Sequence, residues 1–264
     1  MNYEELNNEI LSHYDNALNA NQISKIVNKS FWYIKKVLIA NRNPTFKKYY
    51  NGNMKYFENI DTDSKAYFLG FIAADGCICD SRSTKGLTIT INIKDRMILD
   101  SFKKELCSEN PVKELKNNNL IRFVIYNKEL TDSLAKYEIL PRKSLLMSNI
   151  IVHVPKEFKY AFIRGYFDGD GSFSFDEKRK RGTIAIRGTN EFLLGIINTL
   201  NINTYCLKQY DSIPNLSISA KKNIKKFFEL IYQNSTIHLD RKYNKLKLFV
   251  DTLCQDQTIS SPSK

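Results

Sequence analysis

Two aspartates end the two copies of a repeated run, YFLGFIAADG at residues 67–76 and FIRGYFDGDG at 162–171, which places Asp75 and Asp170 ninety-five positions apart (170 − 75 = 95). Each run is apolar with small residues four apart, Gly70 and Ala74 in the first copy and Gly165 and Gly169 in the second. At helical spacing each pair shares a face, and small residues there let two helix backbones approach closely. Crossing the helices at that face brings their carboxyl ends together. The outcome is two carboxylates beside unpaired helix-end carbonyls, all hard oxygen donors at the negative ends of helix dipoles. Such a set suits Mg²⁺, which keeps waters and takes phosphate oxygens, and metals between two aspartates activate water and stabilise a leaving 3′ oxygen. Lys143 and Lys242, each closing its repeat, would add positive charge near the scissile phosphates. The glycines after the aspartates, Gly76 and Gly171, are expected in the left-handed capping conformation.

Other readings of these residues are weaker. Asp168, Asp170 and Ser172 open like a calcium-binding loop, but its sixth place is Phe173 and its twelfth Arg179, where glycine and glutamate are needed. Asp-Gly is a common turn dipeptide, yet its duplication at matched positions argues for more than a turn. Asp168 has Ala73 as its counterpart and reads as structural, outside the catalytic pair. His13, His153 and His238 show no metal-ligand spacing.

The elements that must position the aspartates also repeat. Strand pairs follow each Asp-Gly: Cys77–Cys79 with Leu87–Ile93, then Ser172–Phe175 with Thr183–Arg187. Leu87, Ile89, Ile91 and Ile93 alternate with Thr88, Thr90 and Asn92, the period of a half-buried strand. Helices at Asp95–Leu106 and Asn190–Leu200 come next. Second hairpins follow at Val112–Leu115 with Leu120–Tyr126 and Thr204–Tyr210 with Asn215–Ser219, and each half closes on a helix, Lys128–Tyr137 or Lys222–Gln233. The order αββαββα, twice, predicts an α+β fold of two pseudo-symmetric half-domains with a two-helix interface. LPRK at 140–143 and LDRK at 239–242 form a second repeated landmark.

Residues 1–60 differ. From Asn16 to Phe57 there is no acidic residue, against Lys25, Lys29, Lys35, Lys36, Arg42, Lys47, Lys48 and Lys55. Helices are expected at Tyr3–Tyr14, at Asn21–Val27 with Ile23, Ile26 and Val27 on one face, and from a Ser30 cap to Ala40. In the third, Trp32 or Tyr33 joins Val37 and Leu38 as the apolar stripe. Two short helices about a tight turn, the second basic, resemble a helix-turn-helix, with Lys29, Lys35 and Lys36 as DNA contacts. The expected boundaries are 1–58 for this segment and its linker, 59–152 and 153–254 for the half-domains, and 255–264 for a tail.

The formal charge of +12 and pI near 9.3 favour a polyanionic partner, nucleic acid above all. The sequence has no run long enough to cross a bilayer and no apolar leader near Met1. The five cysteines read as reduced, buried small residues. A soluble intracellular protein is expected, in a bacterial or phage-infected cytoplasm or an organelle matrix, the Lys-, Asn- and Ile-rich composition hinting at an AT-rich genome.

The two motifs, the αββαββα order and the basic landmarks together resemble the LAGLIDADG homing endonucleases in their single-chain, two-motif form, over roughly residues 60–250. The sixth motif place is Ala73 in the first copy, where the family name has aspartate. The resemblance implies a pseudo-symmetric monomer whose saddle of antiparallel sheets lies on double-stranded DNA. It implies metal ligation by Asp75 and Asp170 with the carbonyls of Ala74 and Gly169, and Lys143 and Lys242 as the basic residues of the two sites. Two or three Mg²⁺ ions would serve, Mn²⁺ substituting. A polar residue ending the second strand would assist: Asn92 or Lys94 in one half, Arg187 or Thr189 in the other.

From the alternation, the DNA-facing candidates on the first hairpins are Arg82, Lys85, Thr88, Thr90, Asn92, Ser172, Ser174, Lys178, Lys180, Arg181, Thr183 and Arg187. Those on the second are Arg122, Tyr126, Lys208, Tyr210, Ser217 and Ser219. The expected function is a site-specific, Mg²⁺-dependent double-strand DNA endonuclease leaving 3′ overhangs. The rivals are an RNA-binding intron maturase and a non-cleaving DNA-binding regulator.

Overall fold

The computed structural model describes residues 3–15, 18–41, 52–81, 84–116, 118–141, 148, 150–210 and 213–259. It contains two compact units, residues 1–50 and 51–264. No described helix is long and apolar enough to cross a membrane.

The described residues of the N-terminal unit form three helices, α1 (Tyr3–Asp15), α2 (Ala20–Ile26) and α3 (Phe31–Ala40). Asn19 starts α2 with a capping box, its side chain accepting from the Gln22 backbone while Gln22 returns to the Asn19 N–H. Ser30 caps α3 by accepting from the Tyr33 backbone at 3.2 Å. Asn28 turns the chain between them in the left-handed region (φ 50°), where asparagine is tolerated. Ile10, Ala20, Ile23, Ile34, Val37 and Leu38 form the core. One expectation is corrected here: Ile26 is 51% exposed, turned outward by the short α2. Of the two aromatic alternatives in α3, Tyr33 packs half-buried against the core with Ile34, Val37 and Leu38, while Trp32 is 70% exposed.

In the larger unit each half repeats one plan. The first half contains α4 (Asp63–Asp75), β1 (Gly76–Ser81), β2 (Thr84–Asn92), α5 (Arg96–Glu105), β3 (Val112–Leu115), β4 (Leu120–Ile125) and α6 (Lys128–Ala135). The second contains α7 (Lys159–Asp170), β5 (Ser172–Asp176), β6 (Arg181–Arg187), α8 (Asn190–Leu200), β7 (Cys206–Tyr210), β8 (Ile213–Ile218) and α9 (Lys221–Tyr232). It closes on a longer helix, α10 (Asp240–Ile259), which takes in residues expected to be tail. Both sheets are antiparallel, in the orders β1-β2-β4-β3 and β5-β6-β8-β7.

Strand alternation sets the layers. Leu87, Ile89 and Ile91 are buried, as are Ile184 and Ile186, and pack with Phe102, Phe123, Phe192 and Phe227 from helices and neighbouring strands. Thr88, Thr90, Thr183 and Ala185 lie on the opposite, partly exposed face, with Asn92 and Arg187 exposed. Tyr56, Phe57 and Ile60 are buried in this core, so the unit begins before the boundary expected at residue 58. The five cysteines are free and exposed, not buried; in β1 the outward positions belong to Cys77 and Cys79, the inward one to Ile78.

Candidate active site

α4 and α7 cross at their glycines. A Cβ on Gly70 would lie 2.0 Å from the carbonyl oxygen of Phe162, and one on Gly165 would lie 1.9 Å from that of Tyr67. Phe162 and Tyr67 are themselves matched across the repeat (162 − 67 = 95), so the contact is reciprocal. No side chain larger than hydrogen fits at either place without moving a backbone. Further along, a Cβ on Gly169 would stand 2.4 Å from Ala74 Cβ and 3.2 Å from Asp75 Oδ2. The carboxylate of Asp75 therefore lies against the residue preceding Asp170.

Gly76 and Gly171 end the two helices in extended conformation, at φ −72° and −76°, not in the left-handed region expected for them. Each chain passes directly from helix into strand. Glycine is needed because a Cβ would meet the helix itself, 2.6 Å from Ile72 O at Gly76 and 2.5 Å from Phe167 O at Gly171.

Tyr166 lies buried behind the pair, its hydroxyl donating to the Arg187 carbonyl at 2.9 Å. Burial, then the charges of Asp170 and Asp75, raise its pKa. Asp170 opens on a cavity of about 400 Å³ lined also by Ser172, Ala185, Arg187 and Asn215. Arg187 is thus the second-strand residue beside Asp170, while Thr189 caps α8 by accepting from the Phe192 backbone at 3.3 Å. In the first half Asn92 accepts from the Lys94 backbone at 3.0 Å and starts the short turn into α5. Asn215 had no signal in the sequence as a residue of this cavity.

Lys242 turns inward. Its Nζ donates to the carbonyls of Phe167 (2.7 Å), Asp168 (2.6 Å), Gly169 (3.1 Å) and Gly171 (2.5 Å), closing the carboxyl end of α7. An ammonium has three hydrogens for these four acceptors, and the longest contact is to Gly169. Burial lowers the Lys242 pKa to about 8, against the opposing pull of Asp168. Lys143 and Arg82 lie outside the described residues.

Asp168 is fully buried. It accepts from the Tyr67 hydroxyl and the Leu239 N–H, both at 2.8 Å, and from the Tyr232 hydroxyl. Desolvation raises its pKa to about 6, which the two hydroxyls and the Leu239 N–H oppose. Arg164, unremarked in the sequence, is also buried; it donates to the carbonyls of Ile237 (2.9 Å) and Ile231 (2.8 Å) and pairs with Asp63. A further tie between halves is the two-pronged pairing of Arg241 with Asp95, Nε to Oδ1 and Nη2 to Oδ2, each 2.9 Å.

The other candidates spread over the outer sheet faces. Arg122 Nε donates to Thr90 Oγ1 at 3.2 Å, its directly opposed partner. The Thr183 and Ser219 hydroxyls are 3.1 Å apart, and Asn215 Nδ2 donates to Ser217 Oγ at 3.0 Å. Ser172, Ser174, Lys178, Lys180, Arg181 and Lys208 are exposed, with Lys180 in the left-handed conformation of the β5–β6 turn (φ 48°). Lys85 instead sits between Asp80 at 3.2 Å and Asp132 at 3.5 Å. The side chain of Tyr210 lies outside the described set.

In donor type, the carboxylates of Asp75 and Asp170 and the carbonyls of Ala74 and Gly169 at the ends of α4 and α7 suit a hard divalent cation. Among the described residues no group of three or more His, Cys, Asp or Glu assembles, so such an ion would complete its shell with water and phosphate oxygens, the habit of Mg²⁺.

Residues 157–232 match the family profile of the LAGLIDADG-like domain. Solved structures share the fold. One is the LAGLIDADG meganuclease I-AabMI bound to uncleaved DNA, with a TM-score of 0.53 and 13% identity over 72% of this chain and 91% of that one. The I-LtrWI LAGLIDADG homing endonuclease bound to target DNA gives 0.51 and 12% over 77% and 92%. I-SmaMI bound to an uncleaved DNA target in the presence of calcium ions gives 0.50 and 14% over 75% and 93%. A curated relative, the DNA-directed RNA polymerase subunit Rpo1C of Methanocaldococcus jannaschii, is 26% identical over 201 residues, 74% of this chain. The chain spans only 22% of that relative's length. The larger unit has the two-motif LAGLIDADG fold, both half-domains on one chain.

Proposed function

We propose that this protein is a site-specific DNA endonuclease that cuts both strands of a long duplex by divalent-metal-dependent hydrolysis, one strand per aspartate. The observation that carries the reading is the glycine crossing, which sets the Asp75 carboxylate against Gly169 where β1 and β5 begin. The likeness of fold to nucleases solved on DNA supports it, as does the charge of +12.

Mg²⁺, when bound, supplies an activated water and charge stabilisation for the leaving 3′ oxygen. The chain's own residues hold and shape that place. Asp75 and Asp170 provide charge, with the Ala74 and Gly169 carbonyls beside them. Lys242 holds the end of α7 through the carbonyls of Phe167, Asp168, Gly169 and Gly171. Arg187, which lines the cavity with Asp170, neutralises a phosphate entering there. Outward Thr88, Thr90, Arg122, Thr183 and Ser217 would meet the duplex, with arginine best suited to guanine edges. The protein would act as a monomer, leaving 3′ overhangs.

The test is cleavage of duplexes recovered from a randomised library by the purified chain. Staggered cuts in Mg²⁺, absent in Ca²⁺ and in the Asp75→Asn/Asp170→Asn variant, would support the proposal. Cutting that survives the double substitution would sink it. Binding without cutting in Mg²⁺ points to a regulator, and preference for structured intron RNA to a maturase.

A further inference from the structure

We infer that the N-terminal unit is a second, separately folded DNA-binding module, with α3 as the helix that enters a groove. The unit has its own core, so its outer face is not needed to hold it together. Its α2–turn–α3 geometry is pinned: Ser24 Oγ donates to the Lys29 carbonyl at 2.6 Å, and the Lys29 N–H returns to the Ser24 carbonyl at 3.2 Å. The buried stripe of α3 is Ile34, Val37 and Leu38, which turns Phe31, Trp32, Lys36 and Ile39 outward.

Charge selects the occupant. From α2 through α3 there are four lysines (25, 29, 35 and 36) and no carboxylate, a one-sign surface that a protein partner would have to match with acids and a duplex matches with phosphates. Lys35 Nζ sits 4.7 Å from the centre of the Trp32 ring, a cation–π contact that holds the lysine beside the indole. An indole 70% exposed next to two cations offers apolar contact for a thymine methyl and charge for the flanking phosphates. That this contact adds to a longer footprint rests on the reading of the larger unit as a DNA-binding body.

The test uses the full chain with Trp32→Ala and, separately, Lys35→Ala/Lys36→Ala; Trp32 and Lys36 are exposed and Lys35 is half-buried, and circular dichroism melts would verify folding. On a mixed-sequence duplex of about 60 base pairs, the lysine variant is expected to lower the salt slope of log K by about 1–2. On the duplex selected above, the Trp32 variant is expected to shorten the hydroxyl-radical footprint at one end. Slopes and footprints equal to those of the unmodified chain would overturn the inference, and so would an effect confined to self-association. If the footprint shortens but no Mg²⁺-dependent cut is ever seen, the endonuclease reading fails and this one stands.

Discussion

Gly70 and Gly165 occupy matched places on crossed helices, and each makes room for the backbone of the other helix: 2.0 Å from a Gly70 Cβ to Phe162 O, 1.9 Å from a Gly165 Cβ to Tyr67 O. Alanine in an exposed helix gains about 1 kcal/mol over glycine. Here Gly70→Ala or Gly165→Ala must push the crossed backbones apart, so each is expected to lower stability by about 1–3 kcal/mol. Denaturant unfolding would read the loss, and unchanged or raised stability would show that the helices do not cross as described.

The two aspartates are expected to act on one strand each. Asp75→Asn alone, or Asp170→Asn alone, should turn double-strand cutting into nicking of opposite strands, while binding in Ca²⁺ stays within a few-fold. A strand-resolved gel separates the outcomes, and both variants nicking the same strand would contradict the assignment.

Asp168 links stability to pH. Its carboxyl is raised from an ordinary 3.8 to about 6 by burial, so the folded state holds a proton that the unfolded chain has released. Stability from this group is fully present below about pH 4 and falls as pH rises through 6, by about 3 kcal/mol for two pH units. Asp168→Asn should flatten stability between about pH 4 and 6. Asp168→Ala should cost more at every pH, on the order of 3 kcal/mol or above, by stranding the Tyr67, Tyr232 and Leu239 donors. Calorimetry across that range would decide, and an Asn variant with the parent slope would refute the linkage.

Lys242 has the opposite sense. Its pKa is lowered from 10.5 to about 8, so the unfolded chain binds more protons between those values and this group's contribution to stability rises with pH there. Lys242→Met keeps the stem and removes the donors. It should strand the carbonyls of α7, cut the melting temperature by several degrees, and slow the Asp170-dependent nick more than the Asp75-dependent one. Equal slowing of both nicks would argue that Lys242 acts on the whole unit.

On the outer faces, Arg122→Ala should weaken specific binding by about 1–3 kcal/mol and relax preference at one position only, as loss of a guanine-edge contact does. Arg187→Ala, in the cavity with Asp170, should instead weaken binding evenly across sequences, as loss of a phosphate contact does. Selection of binding sites by each variant would show this, and a uniform loss from Arg122→Ala would mean that it too meets phosphate.

Local chemistry carries much of this protein. The motif itself, the period-2 alternation of Leu87 to Ile91, the Asp-Gly ends and the glycine faces are properties of short windows, and their recurrence 95 residues on gives the element order. Where windows were read too simply, the surroundings prevailed. Gly76 and Gly171 are extended because strands start at once, and Cys77 and Cys79 are exposed because Ile78 holds the inward place. What the sequence by itself determined is the pair of motif helices, their close-packing face and the two aspartates at their ends. Only the tertiary structure decided that Lys242 faces inward, that Arg164 clamps the chain around Ile231 and Ile237, and that Asp168 answers Tyr67 from 101 residues away. The reason is physical: a buried charge is stable only where distant donors or acceptors close around it, and which ones do so is settled by packing that no short window contains.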